Sequence, residues 1–595
     1  MTSHSVKVTL AWLYMLGILR LAVAFLQVSE NRSTLSKISS RQQLADDPIR
    51  RFLHGSIVTG KTLYIDGGEE TVWLNGAPTK LIHNGTLAID LSVSFHTLRN
   101  TSATDEIKTI VIDKGGCPNF NVPQFWVEKT VHTAYAYGGE YSYSNPWVGG
   151  ATVPLEAFWA FTPSTSGGGT WTQLTESSDT VWNSLTRPAY GLSAYGDIGG
   201  FNLGGLSDSR TSQKSNIQGY IPVPGLQFSN FTSKAWSNSS ALGYSADGTA
   251  LNGGMVYVPS WGSSGLLVAL GGSISPSLTV LPDEGLMGSM INISLYDPST
   301  LTWYHQVSTG IPPDQRDRFC LVGAQGGDNS TYEIFLYSGQ AGLGPFGGGQ
   351  AQMDANALRD DVYILSLPAF TWFKVNYSPS DPRIYHTCHV VGNRQLISVG
   401  GLNPSAPSPA AAMNDTDPFI LGLKVFDMTE LQWTNFYNAS AEPYVPPDVI
   451  AKYYTANGRY PTMWNDPRLK DIFIPPINTT SNTTFNTTTP NTTTHSTEKH
   501  SHTGVIVGGT LGGVAGTCLL GILAYIALRK SSKRGRITQR AETVQVPHEI
   551  GGRSVQELSP EGRLPEIEDS APKPEPSKPK EPVFHELSAE ENTLP

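Results

Sequence analysis

The chain has 595 residues, of which 39% are hydrophobic and only 15% are charged, and its formal net charge is −10. A globular protein usually has about 25% charged residues. No long basic stripe lies outside the segment just after residue 528, which argues against a nucleic-acid-binding protein. The four cysteines are too few for a disulfide-dense scaffold or a cysteine-rich zinc array.

The N-terminus is typical of a secretory signal. A short basic start precedes an apolar run from Val8, and Ala22 and Ala24 form a small-residue cleavage motif. We therefore predict a signal peptide at residues 1–24. The alternative is an uncleaved signal anchor.

A second apolar segment, residues 504–528, contains no charged residue and is long enough to cross a bilayer as a helix. Basic residues follow it at once, which assigns the C-terminus to the cytoplasm. The sequence therefore predicts a single-pass type I protein of the plasma membrane. Gly508, Gly512 and Gly516 would share one face of the helix, which would allow close approach of a second helix and a homodimer; the alternative is that they reflect the general abundance of glycine in membrane helices.

The segments around this span differ sharply in composition. Residues 478–503 are almost wholly Asn, Thr, Ser and His, a composition that predicts a glycosylated stalk. The composition of residues 529–595 predicts a disordered cytoplasmic tail. Its Pro-rich stretch either binds an adaptor or is simply solvated. All sequons lie on the ectodomain side, as expected for N-glycosylation, at Asn31, Asn84, Asn100, Asn230, Asn238, Asn292, Asn329, Asn376, Asn414, Asn438, Asn478, Asn482, Asn486 and Asn491.

The ectodomain contains an internal repeat of about 67 residues. In each unit a run of β-forming residues ends in two small residues of the kind that favour turns. These pairs are Gly67, Gly68, Gly138, Gly139, Gly204, Gly205, Gly271, Gly272, Ser338, Gly339, Gly400 and Gly401. A tryptophan follows 32 to 34 residues after the first of each pair, at Trp171, Trp236, Trp303, Trp372 and Trp433. The first unit lacks the tryptophan, and Phe95 is its candidate substitute. Each unit is therefore predicted to form four short strands, and this small sheet must pack against the sheets of neighbouring units.

These units resemble kelch repeats, which usually form β-propellers. The resemblance covers about residues 50–440. The order of signal, six units, stalk, span and tail is similar to fungal kelch-repeat membrane proteins, and so are Arg318-Phe-Cys320 and His386-Thr-Cys388-His. It implies an all-β ectodomain with a six-bladed propeller at residues 25–440. Residues 441–477 are expected to form a cap packed on the propeller.

Two cysteines have similar contexts in successive repeats. Cys320 and Cys388 lie on what is expected to be the same strand of neighbouring units, and an oxidising compartment permits a bridge. We predict a Cys320–Cys388 disulfide; the alternative is two buried free thiols. Cys117 is left without a partner.

The longest gap in each unit follows the glycines, and these gaps are expected to form loops around one end of a central channel. Loops on a rigid scaffold often carry recognition. Their aromatic residues are candidates for binding a protein or a glycan, although each could instead pack its loop onto the scaffold: Trp73, Tyr141, Tyr143, Trp147 and Phe346.

Signals of catalysis are weak. No phosphate-binding loop, zinc-protease motif or nucleophile elbow occurs, so we expect a non-catalytic binding protein without a cofactor. The alternative is a copper oxidase like galactose oxidase, which has the same fold and needs two histidines, tyrosine ligands and a Cys–Tyr crosslink. His386 and His389 are three apart on a predicted strand and should point to opposite faces. The other candidates are His54, His83, His96, His132 and His305.

Overall fold

The computed structural model describes residues 48–81, 85–99, 106–144, 158–175, 178–212, 220–279, 286–340, 360–377 and 381–474. All of them lie in one compact unit, Met1–Asn482. The predicted signal peptide, stalk, span and tail lie outside the described residues, as do Asn31, Asn84, Asn100 and the four stalk sequons. Within the described ranges, no helix is long and apolar enough to cross a membrane.

The described chain is mostly β-strand, which confirms the all-β prediction. Its first three large sheets, I to III, are antiparallel and follow one another in chain order. Sheet I contains Gly55–Thr59, Thr62–Asp66, Gly85–Asp90 and Thr109–Asp113; sheet II contains Gln124–Glu128, Thr133–Tyr137, Phe158–Pro163 and Gly169–Leu174; sheet III contains Leu192–Gly196, Gly199–Leu203, Leu226–Asn230 and Trp236–Ser239.

The next three sheets, IV to VI, repeat this order. Sheet IV contains Gly254–Val258, Leu266–Leu270, Asn292–Asp297 and Thr302–Val307; sheet V contains Cys320–Gln325, Tyr332–Tyr337, Val362–Leu367 and Thr371–Lys374; sheet VI contains Thr387–Val391, Gln395–Val399, Leu423–Asp427 and Gln432–Thr434. Sheet V gains a fifth, parallel strand, Thr309–Gly310.

Short elements decorate these sheets. The extra strand pairings are Arg50–Phe52 with Glu69–Leu74, Glu69–Leu74 with Ala77–Leu81, Phe120–Asn121 with Glu140–Tyr141, Leu206–Ser207 with Ile221–Pro222, and Phe95–His96 with Phe436–Tyr437. The helices are Thr180–Ser184, Pro409–Asn414, Asp448–Asn457 and Pro467–Phe473, with a 3-10 turn at Ile420–Gly422. The gap after the first glycine pair, residues 69–86, was expected to be a loop, and this was wrong. Arg50–Phe52 supplies an edge on which Glu69–Leu74 forms a strand, and Ala77–Leu81 pairs with that strand in turn.

The six sheets contact one another in a closed cycle. The first strand of each sheet contacts the first strand of the next, and that of sheet VI contacts that of sheet I. Each seam between neighbouring sheets has its own buried apolar cluster. The hydrophobic core is thus a ring of six interfaces, in which every sheet buries both of its faces.

The repeated tryptophans lie in these seams. Each belongs to the fourth strand of its sheet and packs towards the preceding sheet. The indole N–H of Trp171, for example, donates to Thr86 Oγ1 of sheet I at 2.8 Å. Phe95 is not on the fourth strand of sheet I, yet it is fully buried in the seam between sheets VI and I, against the ring of Tyr437. It therefore substitutes for the tryptophan in packing but not in position.

The paired small residues all follow the second strand of their sheet, and each has a positive φ. A Cβ atom at Gly68 would lie 2.5 Å from the Phe52 carbonyl oxygen, so no other residue fits there. Ser338 adopts φ 61° in the same role. Its hydroxyl accepts a hydrogen bond from the backbone N–H of Arg383 at 2.7 Å, which offsets part of the strain.

The C-terminal helices pack on sheets IV to VI. Leu469 and Phe473 enter the cluster between sheets IV and V, and Ile450 enters the cluster between sheets V and VI. The Asp466 carboxylate caps Pro467–Phe473 by accepting the N–H of Arg468. Residues 448–473 therefore form a cap on this side of the ring.

Candidate functional site at the mouth of the channel

The first strands of all six sheets line a central channel of about 650 Å³. Its wall combines glycines with polar side chains, including Ser56, Gln124, Ser193 and His389. Segments that follow the glycine pairs bridge to the links that precede the first strands, as Ala189 does with Leu206 and Ile384 with Leu402. The long gaps and the links therefore share one end of the channel, which we call the loop face.

A ring of backbone surrounds the channel at the loop face. One residue of each sheet lies two positions before the first strand and has φ between 47 and 62°. Four hydrogen bonds connect neighbours in this ring, from Val122 N to Leu53 O, Asn252 N to Tyr190 O, Arg318 N to Asn252 O and Leu53 N to Tyr385 O. Left-handed non-glycine residues are strained and cluster at functional sites. These six, which we call the mouth ring, are Leu53, Val122, Tyr190, Asn252, Arg318 and Tyr385.

Two tyrosines of the mouth ring meet across the channel. Tyr190 belongs to sheet III and Tyr385 to sheet VI, and their ring centroids are 6.4 Å apart in an edge-on arrangement. The Tyr190 hydroxyl donates to Glu140 Oε1 at 2.5 Å. Arg318 Nε donates to the Tyr385 hydroxyl at 2.5 Å, and Arg318 forms an ion pair with Asp317 at 2.6 Å. Each tyrosine is thus held by a charged side chain.

Glu140 is the most perturbed acid of this site. Its side chain is fully buried, and burial raises its pKa to about 7, against hydrogen bonds that lower it. Its second oxygen, Oε2, has no hydrogen-bond partner among the described residues. A buried carboxyl group with a raised pKa at the mouth of a channel marks a candidate functional position.

Two further tyrosines extend the site to the surface. Tyr143 is 40% exposed and Tyr220 is 37% exposed, and the Tyr143 hydroxyl lies 3.4 Å from that of Tyr190. Arg210 lies 5.0 Å from the centre of the Tyr143 ring. The backbone N–H of Tyr143 donates to the buried Glu69 carboxylate at 2.6 Å. The loop face therefore presents tyrosine rings held in place from beneath.

The structure brings together only part of the predicted aromatic set. Tyr143 belongs to the site, Tyr141 is half-buried beside it, and Trp73 is 53% exposed on the strand Glu69–Leu74. Trp147 and Phe346 lie outside the described residues. Sequence reasoning missed Glu140, Tyr190, Arg318 and Tyr385. The signal for the last three was their shared position, two residues before the first strand of a repeat.

Among the described residues, the histidines do not form the set that the copper-oxidase alternative requires, and His83 lies outside these residues. His389 Nε2 lies 2.7 Å from Ser56 Oγ of sheet I, whereas His386 faces Tyr337 of sheet V, so the two point to opposite sides of the strand as expected. In the described ranges, the side chains grouped closely enough to hold a metal are Cys320, His386 and Cys388. Cys117 is buried, and burial raises the pKa of its thiol. These donors do not fit two histidines, tyrosines and a Cys–Tyr crosslink.

The cysteine pair is bridged, and most of the described sequon asparagines are exposed. Cys320 and Cys388 form a disulfide between the first strands of sheets V and VI, the pairing expected from the sequence. Among the described sequon asparagines, Asn230 is half-buried and the others are exposed: Asn238, Asn292, Asn329, Asn376, Asn414 and Asn438. An attached glycan could project into solvent from each exposed position.

Comparisons with known proteins agree with the repeat pattern. No family model matches the chain. A kelch repeat-containing protein of Arthroderma benhamiae is 26% identical over 445 residues, which are 68% of this chain and 59% of that relative. The chain therefore spans about 59% of the length of the curated relative. The similarity to kelch-repeat proteins is thereby confirmed, while the membrane topology stays a prediction.

A solved structure also resembles the chain. The structure of YjhT covers 65% of this chain and 98% of its own, with 13% sequence identity and a TM-score of 0.40. At this TM-score the likeness carries no argument about the site.

Proposed function

We propose that the six sheets are the blades of a kelch-type propeller and that its loop face is a non-catalytic binding site for glycans. The observation that carries this proposal is the pair of exposed tyrosines, Tyr143 and Tyr220, both of which lie close enough to the buried Glu140 to interact with it electrostatically. Tyrosine faces stack on sugar rings. Beneath them, the Glu140 carboxylate accepts a hydrogen bond from the Tyr190 hydroxyl and so holds Tyr190 beside Tyr143.

The proposal extends to the cellular setting that the sequence predicts. The propeller would lie outside the cell as a type I plasma-membrane glycoprotein, anchored by residues 504–528. The glycine face of the span would support a homodimer, and the Pro-rich tail would bind a cytoplasmic adaptor. These parts rest on sequence composition alone.

The test is binding of the purified full-length protein to a panel of neutral and acidic oligosaccharides. We expect Tyr143→Ala to weaken binding about five- to twelvefold, the loss that one stacked ring of about 1–1.5 kcal/mol produces. Tyr460→Ala is the matched control, because Tyr460 is a similarly exposed tyrosine on the C-terminal cap. Equal binding by wild type and Tyr143→Ala would contradict the assignment. Capture of a protein, but no oligosaccharide, through Tyr143 would replace the glycan with a protein ligand.

A further inference from the structure

The seam between sheets V and VI holds a cluster of soft ligands at the channel wall. The two Sγ atoms of Cys320 and Cys388 and one ring nitrogen of His386 all lie within 4.8 Å of one another. All three residues line the channel. The cluster borders the loop face, because His386 directly follows Tyr385 of the mouth ring, but it contains neither Glu140 nor any tyrosine of the proposed glycan site.

His386 is the second observation that points to a ligand. Its side chain is only 6% exposed, and neither ring nitrogen has a hydrogen-bond partner among the described residues. The Tyr337 ring packs edge-on against the imidazole, with the ring centroids 5.3 Å apart. A buried histidine normally satisfies at least one nitrogen, so this ring has an unused ligand position beside the two sulfur atoms.

We propose that Cys320, Cys388 and His386 bind a zinc ion when the disulfide is reduced. Two thiolates and one imidazole match the ligand preference of zinc, and the channel leaves room for water as the fourth ligand. The disulfide and the metal are then alternative occupants of one site. Either one joins the first strands of sheets V and VI.

The reaction balances with a small dithiol as the reductant. The dithiol gives two electrons and two protons and becomes a cyclic disulfide, while the Cys320–Cys388 bond breaks to give two thiols. Zinc then replaces the two thiol protons, which pass to solvent.

The experiment compares full-length protein that has been reduced or oxidised and then incubated with zinc and dialysed. We expect about one zinc per chain in the reduced protein and none in the oxidised protein. Cobalt should give a thiolate-to-metal absorption band only in the reduced sample. Cys388→Ser and His386→Gln should each weaken zinc binding at least about tenfold, in line with loss of one ligand. Cys117→Ser, which removes the other described cysteine, should bind like wild type.

A second measurement on the wild type does not depend on the folding of variants. Bound zinc should slow reoxidation of the Cys320 and Cys388 thiols at least about tenfold, as measured by thiol trapping and mass spectrometry. Absence of zinc from the reduced wild type would overturn the proposal. Equal zinc in the oxidised protein, or reoxidation at the same rate with and without zinc, would also overturn it.

Discussion

Replacing Glu140 by glutamine tests whether the carboxyl group at the channel mouth holds a proton near neutral pH. Burial raises its pKa from 4.5 to about 7. Between these values the folded protein binds a proton that the unfolded chain releases, so the free energy of unfolding falls as the pH rises through this interval. The gap is 7 − 4.5, or about 2.5 pKa units, and at 1.36 kcal/mol per unit it corresponds to about 3 kcal/mol.

The Glu140→Gln variant keeps an oxygen for the Tyr190 hydroxyl but cannot titrate. We therefore expect the stability of wild type relative to the variant to fall by about 3 kcal/mol between about pH 4 and about pH 8. Urea unfolding followed by tryptophan fluorescence measures this difference. A difference that stays constant over the range would refute the raised pKa.

Glu333 provides a matched control for binding. It is also fully buried, and burial raises its pKa to about 7, but its carboxylate accepts hydrogen bonds from Ser366 and Tyr444 near the C-terminal cap. Glu333→Gln should change the pH dependence of stability in the same direction and leave oligosaccharide binding unchanged. Loss of binding in both variants would show that binding follows stability and not the mouth of the channel.

Other changes test the scaffold. The double variant Cys320→Ala/Cys388→Ala should have a free energy of unfolding about 4 kcal/mol lower than wild type under oxidising conditions, because the disulfide closes a loop of 68 residues. Chemical unfolding measures this difference, and a loss below about 1 kcal/mol would contradict the prediction. Gly68→Ala should lower the melting temperature far more than Gly60→Ala. Both glycines have a positive φ, but only at Gly68 would a Cβ atom lie within 4 Å of other backbone atoms. Similar losses in the two variants would show that the positive φ alone determines the cost. Burial lowers the pKa of His389 from 6.5 to about 4. Its neutral form therefore contributes to stability above about pH 6.5, and this contribution is lost as the pH falls towards about 4. His389→Gln should flatten this acid limb in pH-dependent unfolding, and an unchanged limb would assign it to other groups.

The repeat could be predicted because its glycine pairs and tryptophans have the same structural role in successive sheets. Gly68 and Gly400 turn the chain where another backbone approaches too closely for a Cβ. Trp171 and Trp372 fill equivalent seams. A residue type that repeats at a fixed spacing is visible in a single sequence, since each copy supports the others. The strand Glu69–Leu74 was missed because its partner, Arg50–Phe52, precedes the first glycine pair, and the described part of the chain shows no equivalent strand in another unit.

The site at the channel mouth was invisible for the opposite reason. Closure of the ring places Tyr190 of sheet III against Tyr385 of sheet VI, although 195 residues separate them in the sequence. In the sequence, Glu140 is an acidic residue next to a glycine pair and gives no sign of burial. Only the fold buries its side chain. No local pattern predicts such a contact, since it depends on how all six sheets close.

The mouth ring shows how a repeated backbone can support a site that does not repeat. All six residues share one left-handed conformation, and such strain persists only where the surrounding structure fixes it. The hydrogen bonds between neighbours in the ring supply that constraint. The side chains, however, are apolar in sheets I and II and polar in the other four: Leu53, Val122, Tyr190, Asn252, Arg318 and Tyr385. The repeat therefore determines where these side chains lie, and their differences confine the proposed recognition chemistry to one part of the mouth.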